Sequence, residues 1–393
     1  MFPDRTQERV IEMKEPENVF EALNMLRKQN GKPVQNFRSI SGYLGLKARE
    51  KGVPVNNQFE LTPLCNFDCK MCYVHLNPEQ MKGHSLLPVS TWKELMYQSW
   101  QEGMISATLS GGECLTYPGF DDLFLYLHSL GCEVNILTNG FLLDEKRIRF
   151  FQEHKPGRIQ ITLYGSNDDV YERVTGQRAF NTVAENIKKA IDAGLPVSLN
   201  VTPNRYLGDA VIETIKTAQK MCSAVTVNSA LFSPREETGR SEQQDDLETE
   251  LYIKIYRLMR ELNGLEIKEI KLSDLPPAGG KRQECDQCGL RCGAGRSGFV
   301  MDWKGTMMPC NRMEMIKAYP LKEGIKASWA SINLACNQWP RVQECEECAY
   351  RDVCNNCAGN MLRYAGPGKQ PVKLCERTRL LVSKGVRSLP ECE

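Results

Sequence analysis

The chain has 393 residues, 41% hydrophobic and 25% charged, with 50 basic against 49 acidic side chains and a formal net charge of +1. That length allows a large core and about two domains. The evenly mixed charge excludes a nucleic-acid or membrane surface held by bulk charge, and no apolar run approaches the length a bilayer needs.

The N-terminal run MFPDRTQERVIEMKEPEN lacks the apolar core of a signal peptide, so the chain is expected in the cytoplasm. In a large intracellular chain, seventeen cysteines point to metal or redox chemistry, and here they cluster. Residues 1–56 read as amphipathic helices (NVFEALNMLRKQ, then ISGYLGLKAREKG) closed by a Gly-Val-Pro turn. From 57 to about 265 strands and helices alternate. The strands are QFELTP (58–63), SATLS (106–110), EVNILT (133–138), RIQITLY (158–164), PVSLNVT (196–202) and AVTVNSA (224–230). Six βα units in series predict an α/β fold with a parallel sheet and right-handed crossovers, curled into a partial (β/α)6 TIM-like barrel. Chemistry then belongs at the strand C-terminal ends. The remainder, 266–393, enters through LPPAGGKRQ, reads as loop-rich and holds eleven of the cysteines.

After the first strand, LTPLCNFDCKMCYVHL spaces Cys65, Cys69 and Cys72 as C-x3-C-x2-C. Three thiolates bind three irons of a cubane cluster and leave the fourth with an open position, the mark of a metal site that takes a reactant. Strand two ends in Ser110-Gly111-Gly112-Glu113. These features resemble the radical S-adenosylmethionine superfamily, in which the loop follows the first strand of a partial barrel. The resemblance implies a four-iron four-sulfur cluster on Cys65, Cys69 and Cys72 whose open iron chelates S-adenosylmethionine, reductive cleavage to a 5′-deoxyadenosyl radical, and hydrogen abstraction from substrate.

It also implies cofactor contacts, residue by residue. Gly111, Gly112 and Glu113 would hold the ammonium and Tyr73 would lie near adenine. Asn139, Thr162, Tyr164 and Ser166 would meet the methionine moiety and ribose, Arg173 the carboxylate, and Asn200 the ribose. A cap or turn role competes for Asn139, Thr162, Tyr164 and Ser166, and a surface ion pair competes for Arg173. The proline usual after the glutamate is Cys114 here, which puts a thiol near the radical and makes Cys114 the candidate catalytic hydrogen donor.

The C-terminal order, Cys292-x12-Gly305-x4-Cys310, then Cys345-x2-Cys348-x5-Cys354-x2-Cys357 and finally Cys375, resembles the SPASM extension of these enzymes, with one gap of two residues where the pattern has three. By that pattern one auxiliary cluster takes Cys292, Cys310, Cys357 and one of Cys285 and Cys288, and the other takes Cys345, Cys348, Cys354 and Cys375. Three 4Fe-4S clusters are implied in all. A pair of zinc ribbons is the competing reading of the paired C-x2-C. Members with this extension mostly modify ribosomally made peptides or proteins by crosslinking, epimerisation or oxidation. The resemblance therefore implies a peptide or protein substrate, a reductase such as flavodoxin or ferredoxin, and a separate leader-peptide-binding partner as one route of recognition. A radical synthase acting on a small molecule is the alternative enzyme, and a metal-binding or electron-transfer scaffold the alternative class.

Overall fold

The computed structural model describes residues 37–228, 232–239, 247–274, 289–346, 348–351, 353–354, 357–362 and 364–386. The expected helix in NVFEALNMLRKQ, the LPPAGGKRQ entrance, Cys285, Cys288 and Cys392 lie outside the described residues. In chain order the first elements are α1 (Phe37–Lys51), β1 (Asn56–Glu60), α2 (Val89–Gln101), β2 (Ser106–Ser110), α3 (Phe120–Ser129), β3 (Glu133–Thr138), α4 (Glu145–Glu153) and β4 (Arg158–Thr162). They are followed by α5 (Asp168–Thr175), α6 (Phe180–Asp192), β5 (Val197–Val201), α7 (Ala210–Met221), β6 (Val225–Val227) and α8 (Thr249–Leu262). The C-terminal part adds β7 (Val300–Met301), β8 (Met307–Met308), α9 (Pro320–Asn337), the short α10 (Gln343–Glu346) and α11 (Ala358–Leu362), and α12 (Val372–Ser383).

One eight-stranded sheet runs in the order β6-β5-β4-β3-β2-β1-β7-β8. The six expected strands are parallel neighbours in sequence order, as right-handed βα crossovers require. Two strands are additional. Val300–Met301 pairs parallel with Gln58–Phe59 and turns back into β8 through the antiparallel pairs Val300↔Met308 and Met301↔Met307. At two residues each they are too short to leave a period in the sequence.

Strand alternation sets what faces what. Phe59, Ala107, Leu109, Val134, Ile136, Ile159, Ile161, Leu199 and Val201 are buried in the apolar core. Phe59 is fully buried and meets the rings of Trp92 and Phe299 edge-on at 6.0 and 6.2 Å. Burial of such a side chain contributes about 2–3 kcal/mol. The alternate positions Gln58, Glu60, Ser110, Gln160, Thr162 and Asn200 are polar. Leu137 apart, these interior strand positions are polar where a closed barrel would be packed with Val and Leu.

The C-terminal part is more helical than expected. Helix α9 packs on α2, with the Gln98 side chain accepting from Ile325 N at 3.0 Å and Trp329 Nε1 donating to Gly52 O at 2.6 Å. It bends at Gly324, whose φ of 79° only glycine adopts at little cost. Among the described residues no helix is long and apolar enough to cross a membrane.

Candidate active site

The loop after β1 is laid down by backbone. Leu61 N donates to Ser110 O at 2.9 Å, Gly112 N to Thr62 O at 2.6 Å and Glu113 N to Leu64 O at 2.9 Å. The two glycines make this approach possible. A Cβ at Gly111, where φ is +143°, would stand 2.4 Å from Thr62 O, and one at Gly112 would stand 2.4 Å from Leu64 O. The chain is thereby delivered to Cys65 in a fixed direction.

Cys69 is buried, and Cys65 and Cys72 are partly so. Amide donors are aimed at the sulfurs: Phe67 N at Cys65 Sγ (3.4 Å), His75 N at Cys72 Sγ (3.3 Å) and Asn139 Nδ2 at Cys65 Sγ (3.6 Å). Burial, then the Glu113 charge, push the Cys65 thiol up to about 12. Metal ligation reverses that preference by taking the proton's place. Donors on the sulfur favour the thiolate by stabilising its negative charge.

The three thiols stand in a cavity of about 290 Å³ at the C-terminal ends of the strands. Ser110, Gly111, Gly112, Thr138 and Asn139 form part of its wall, Gln58, Gln160, Thr162, Tyr164, Asn200 and Thr202 another, and Tyr73, Asn228, Phe232 and Asn311 a third. Asn200 donates to Thr202 Oγ1 at 2.9 Å while its buried Oδ1 has no hydrogen-bond partner in the protein. None of the described lining residues carries a charged side chain.

Charge lies just behind the wall and is neutralised there. Glu60, fully buried, accepts from Tyr73 OH at 2.8 Å and pairs with Arg235 Nη1 at 2.6 Å. Arg235 Nε reaches Glu314 at 2.9 Å, and Asn311 Nδ2 donates to Tyr73 OH at 3.0 Å. Burial, then Glu60, raise the Tyr73 phenol well above its usual range, so it stays a neutral donor. Glu60, Arg235 and Asn311 escaped the sequence reading. The available signal was Glu60 itself, a charged residue in a strand otherwise built for burial.

The expected cofactor residues divide. Tyr73, Gly111, Gly112, Asn139, Thr162, Tyr164 and Asn200 line the cavity with the three cysteines, whereas Glu113, Ser166, Arg173 and Cys114 are not among its lining residues. Glu113 is fully buried behind it and accepts from Leu115 N (3.1 Å), Asn139 N (2.8 Å) and Thr138 Oγ1 (2.9 Å). Burial raises its carboxyl and these donors oppose the rise. It fixes Asn139, which in turn reaches Cys65. Exposed Arg173 donates to the carbonyls of Tyr206 (2.9 Å) and Leu207 (3.3 Å). Ser166 sits in the bend before α5.

Cys114 starts a buried 3-10 turn, and its thiol meets Leu137 O at 3.3 Å. Burial, then the Glu113 charge, hold that thiol well above its ordinary range. Cys114→Ala should therefore lower stability by about 1 kcal/mol as a core truncation and leave 5′-deoxyadenosine formation and product release intact. Loss of product with continued S-adenosylmethionine consumption would support the hydrogen-donor role.

A second cavity, of about 250 Å³, is lined by Cys292, Cys345, Cys348, Cys354, Cys357 and Cys375. Neighbouring thiols sort into two sets. After burial, Cys345 is raised by Cys375, Cys354 and Cys348, to about 11. Cys310 is raised to about 11 by burial first, with Cys292 and Cys357 adding to it. Among the described residues no three His, Cys, Asp or Glu side chains converge on a single-ion point.

Residues 59–218 match the model of the Radical SAM superfamily. Among curated proteins, the chain is 27% identical over 155 residues to "PqqA peptide cyclase" of Streptomyces rochei, covering 39% of this chain and 42% of that one. It is 33% identical over 163 residues to "Probable GTP 3′,8-cyclase" of Saccharolobus solfataricus, covering 41% and 52%. The chain thus spans about half or less of the length of these relatives. Streptococcus suis SuiB, solved bound to precursor peptide SuiA, has a similar fold, with a TM-score of 0.63 at 15% identity over 87% of this chain and 82% of that one.

Proposed function

We propose that residues 59–218, which match the Radical SAM superfamily model, form a radical S-adenosylmethionine domain, and that the chain cleaves S-adenosylmethionine reductively and abstracts hydrogen from a ribosomally made peptide or protein segment. When bound, the iron–sulfur cluster and S-adenosylmethionine supply the one-electron cleavage and the 5′-deoxyadenosyl radical. Cys65, Cys69 and Cys72 would hold the cluster, and the amide donors on their sulfurs fit that role. Gly111 and Gly112 bring backbone against the loop. Asn139, Thr162, Tyr164 and Asn200 offer neutral hydrogen-bonding groups to the cofactor. Glu113 acts on the site through Thr138 and Asn139, and Arg173 braces the Tyr206–Leu207 turn.

The carrying observation is the uncharged wall. A nucleoside triphosphate brings several negative charges, and sites that take one line them with Lys, Arg or backbone nests. The described lining offers no cation. Desolvating such a ligand there would cost several kcal/mol without compensation. A peptide segment asks only for amide and hydroxyl partners, which Gln58, Gln160, Asn228 and Asn311 provide. The peptide-cyclase relative and the peptide-bound fold neighbour support the same choice.

The same proposal assigns residues 1–56, 57–265 and 266–393 to a helical segment, the barrel and a SPASM-like part. In that last part Cys292, Cys310 and Cys357 with one of Cys285 and Cys288, and Cys345, Cys348, Cys354 and Cys375, hold two auxiliary 4Fe-4S clusters. It further includes a flavodoxin- or ferredoxin-type reductase, a separate leader-binding partner and a cytoplasmic location. The anaerobic protein, given S-adenosylmethionine and dithionite, should take deuterium into 5′-deoxyadenosine from a perdeuterated cellular peptide fraction and none from deuterated GTP. Deuterium from GTP alone would overturn the peptide reading.

A further inference from the structure

Arg312 links the two halves of this machinery. Its Nη1 donates to Cys357 Sγ at 3.2 Å, and its backbone N–H bonds the Cys310 thiol. One residue therefore touches two of the three described thiols in the set Cys292, Cys310 and Cys357. Its guanidinium carbon lies 4.9 Å from the centre of the Phe232 ring. Phe232 packs edge-on to Tyr73 at 4.8 Å, and both line the main cavity. The stem is held from the other side by buried Gly359, where a Cβ would stand 2.4 Å from Arg312 Cβ. Glycine in helix α11 is thus what lets the arginine lie flat against it.

A cationic donor on a ligating thiolate withdraws charge from the iron. It favours the more negative reduced form and raises the reduction potential. Half-burial against an aromatic face and the glycine weakens the screening of that charge by water. We propose that Arg312 is the positioning residue that sets the potential of the auxiliary centre on Cys292, Cys310 and Cys357, keeping it an acceptor for the electron left on substrate after hydrogen abstraction. This rests on the auxiliary-cluster reading above. The transfer is one electron from the substrate radical to the centre, which oxidises the former and reduces the latter. The oxidised substrate then sheds a proton to solvent or closes a new bond.

The test uses the full chain, reconstituted without oxygen and poised at a series of potentials with mediators that donate one electron per centre. Reduced signals are followed by electron paramagnetic resonance. Arg312→Met should move one couple to more negative potential, leave the other two unmoved and retain the parent's iron and sulfide. Arg312→Lys should fall between. Gly359→Ala, which displaces the stem and keeps the charge, should move the same couple in the same direction. Full iron with every couple unmoved in Arg312→Met overturns the proposal. If Arg312→Met loses iron instead, Gly359→Ala and Phe232→Leu decide, and an unmoved couple in both overturns it. A parent protein holding only about four irons per chain would instead sink the auxiliary-cluster reading beneath it, a result distinct from the others.

Discussion

On the proposed reading, replacing Cys65, Cys69 and Cys72 together by alanine should abolish reductive cleavage of S-adenosylmethionine while about two-thirds of the iron remains. On the proposed three clusters, at four irons per cubane, the parent should carry about twelve irons and the variant about eight. The fold should survive. The loop is tied to its neighbours by backbone bonds from Gly112 to Thr62, Glu113 to Leu64 and Leu76 to Pro63, none of which uses a cysteine side chain. Iron and sulfide assays with chromatography of 5′-deoxyadenosine read both halves of the result. Retained cleavage would remove the loop from the chemistry, and zinc in place of the remaining iron would revive the zinc-ribbon reading.

The second large effect concerns stability. Glu60→Ala leaves Arg235, 5% exposed, without the carboxylate 2.6 Å from its Nη1, and takes from Tyr73 OH its acceptor at 2.8 Å. Breaking one side of a buried pair costs about 3–5 kcal/mol, because the remaining charge stays desolvated. Glu314, more exposed at 31%, recovers only part of that loss. Denaturant unfolding should show a large fall in midpoint. The double change Glu60→Gln with Arg235→Met should regain most of it, since both buried charges are then removed and only Glu314, 31% exposed, loses its partner. A midpoint equal to the parent's in Glu60→Ala would mean that solvent reaches the pair.

The parts of this molecule that sequence reveals are those with a local cause. Strands β2 and β3 fall at 106–110 and 133–138 as expected, since Gly111-Gly112 and Asn139-Gly140 punctuate the ends of β-branched and apolar runs. The cysteine loop is legible for the same reason. Strand β1 is less so: Gln58, Glu60 and Thr62 blur its apolar pattern, and it runs from Asn56 to Glu60. Helix α9 is obscured by Gly324, Ser328, Ser331 and Asn333, which weaken its propensity while packing on α2 sustains it. Apart from Tyr73, the third wall and the charges behind it were beyond reach. Tyr73, Arg235 and Asn311 meet only through the register of β1, the segment after β6 and the β7–β8 hairpin. No spacing in one sequence encodes that meeting. Cys114, conspicuous in the chain, turned out to sit beneath the site because the 3-10 turn rolls its side chain into the core.

The pairing of β1 with β7 also has a meaning in time. Residues 58 and 59 find their partners only at 300 and 301. At ordinary rates of synthesis, 5–20 residues each second, roughly ten to fifty seconds separate their emergence from the ribosome. Through that interval the outer side of β1 is an unpaired strand edge, and Phe59 lacks the Phe299 ring that later covers it. An edge of that kind invites pairing with another nascent chain. The newborn chain therefore carries an aggregation-prone edge from the time the three thiols beside it leave the tunnel, and slowed translation between residues 60 and 300 would lengthen the hazard.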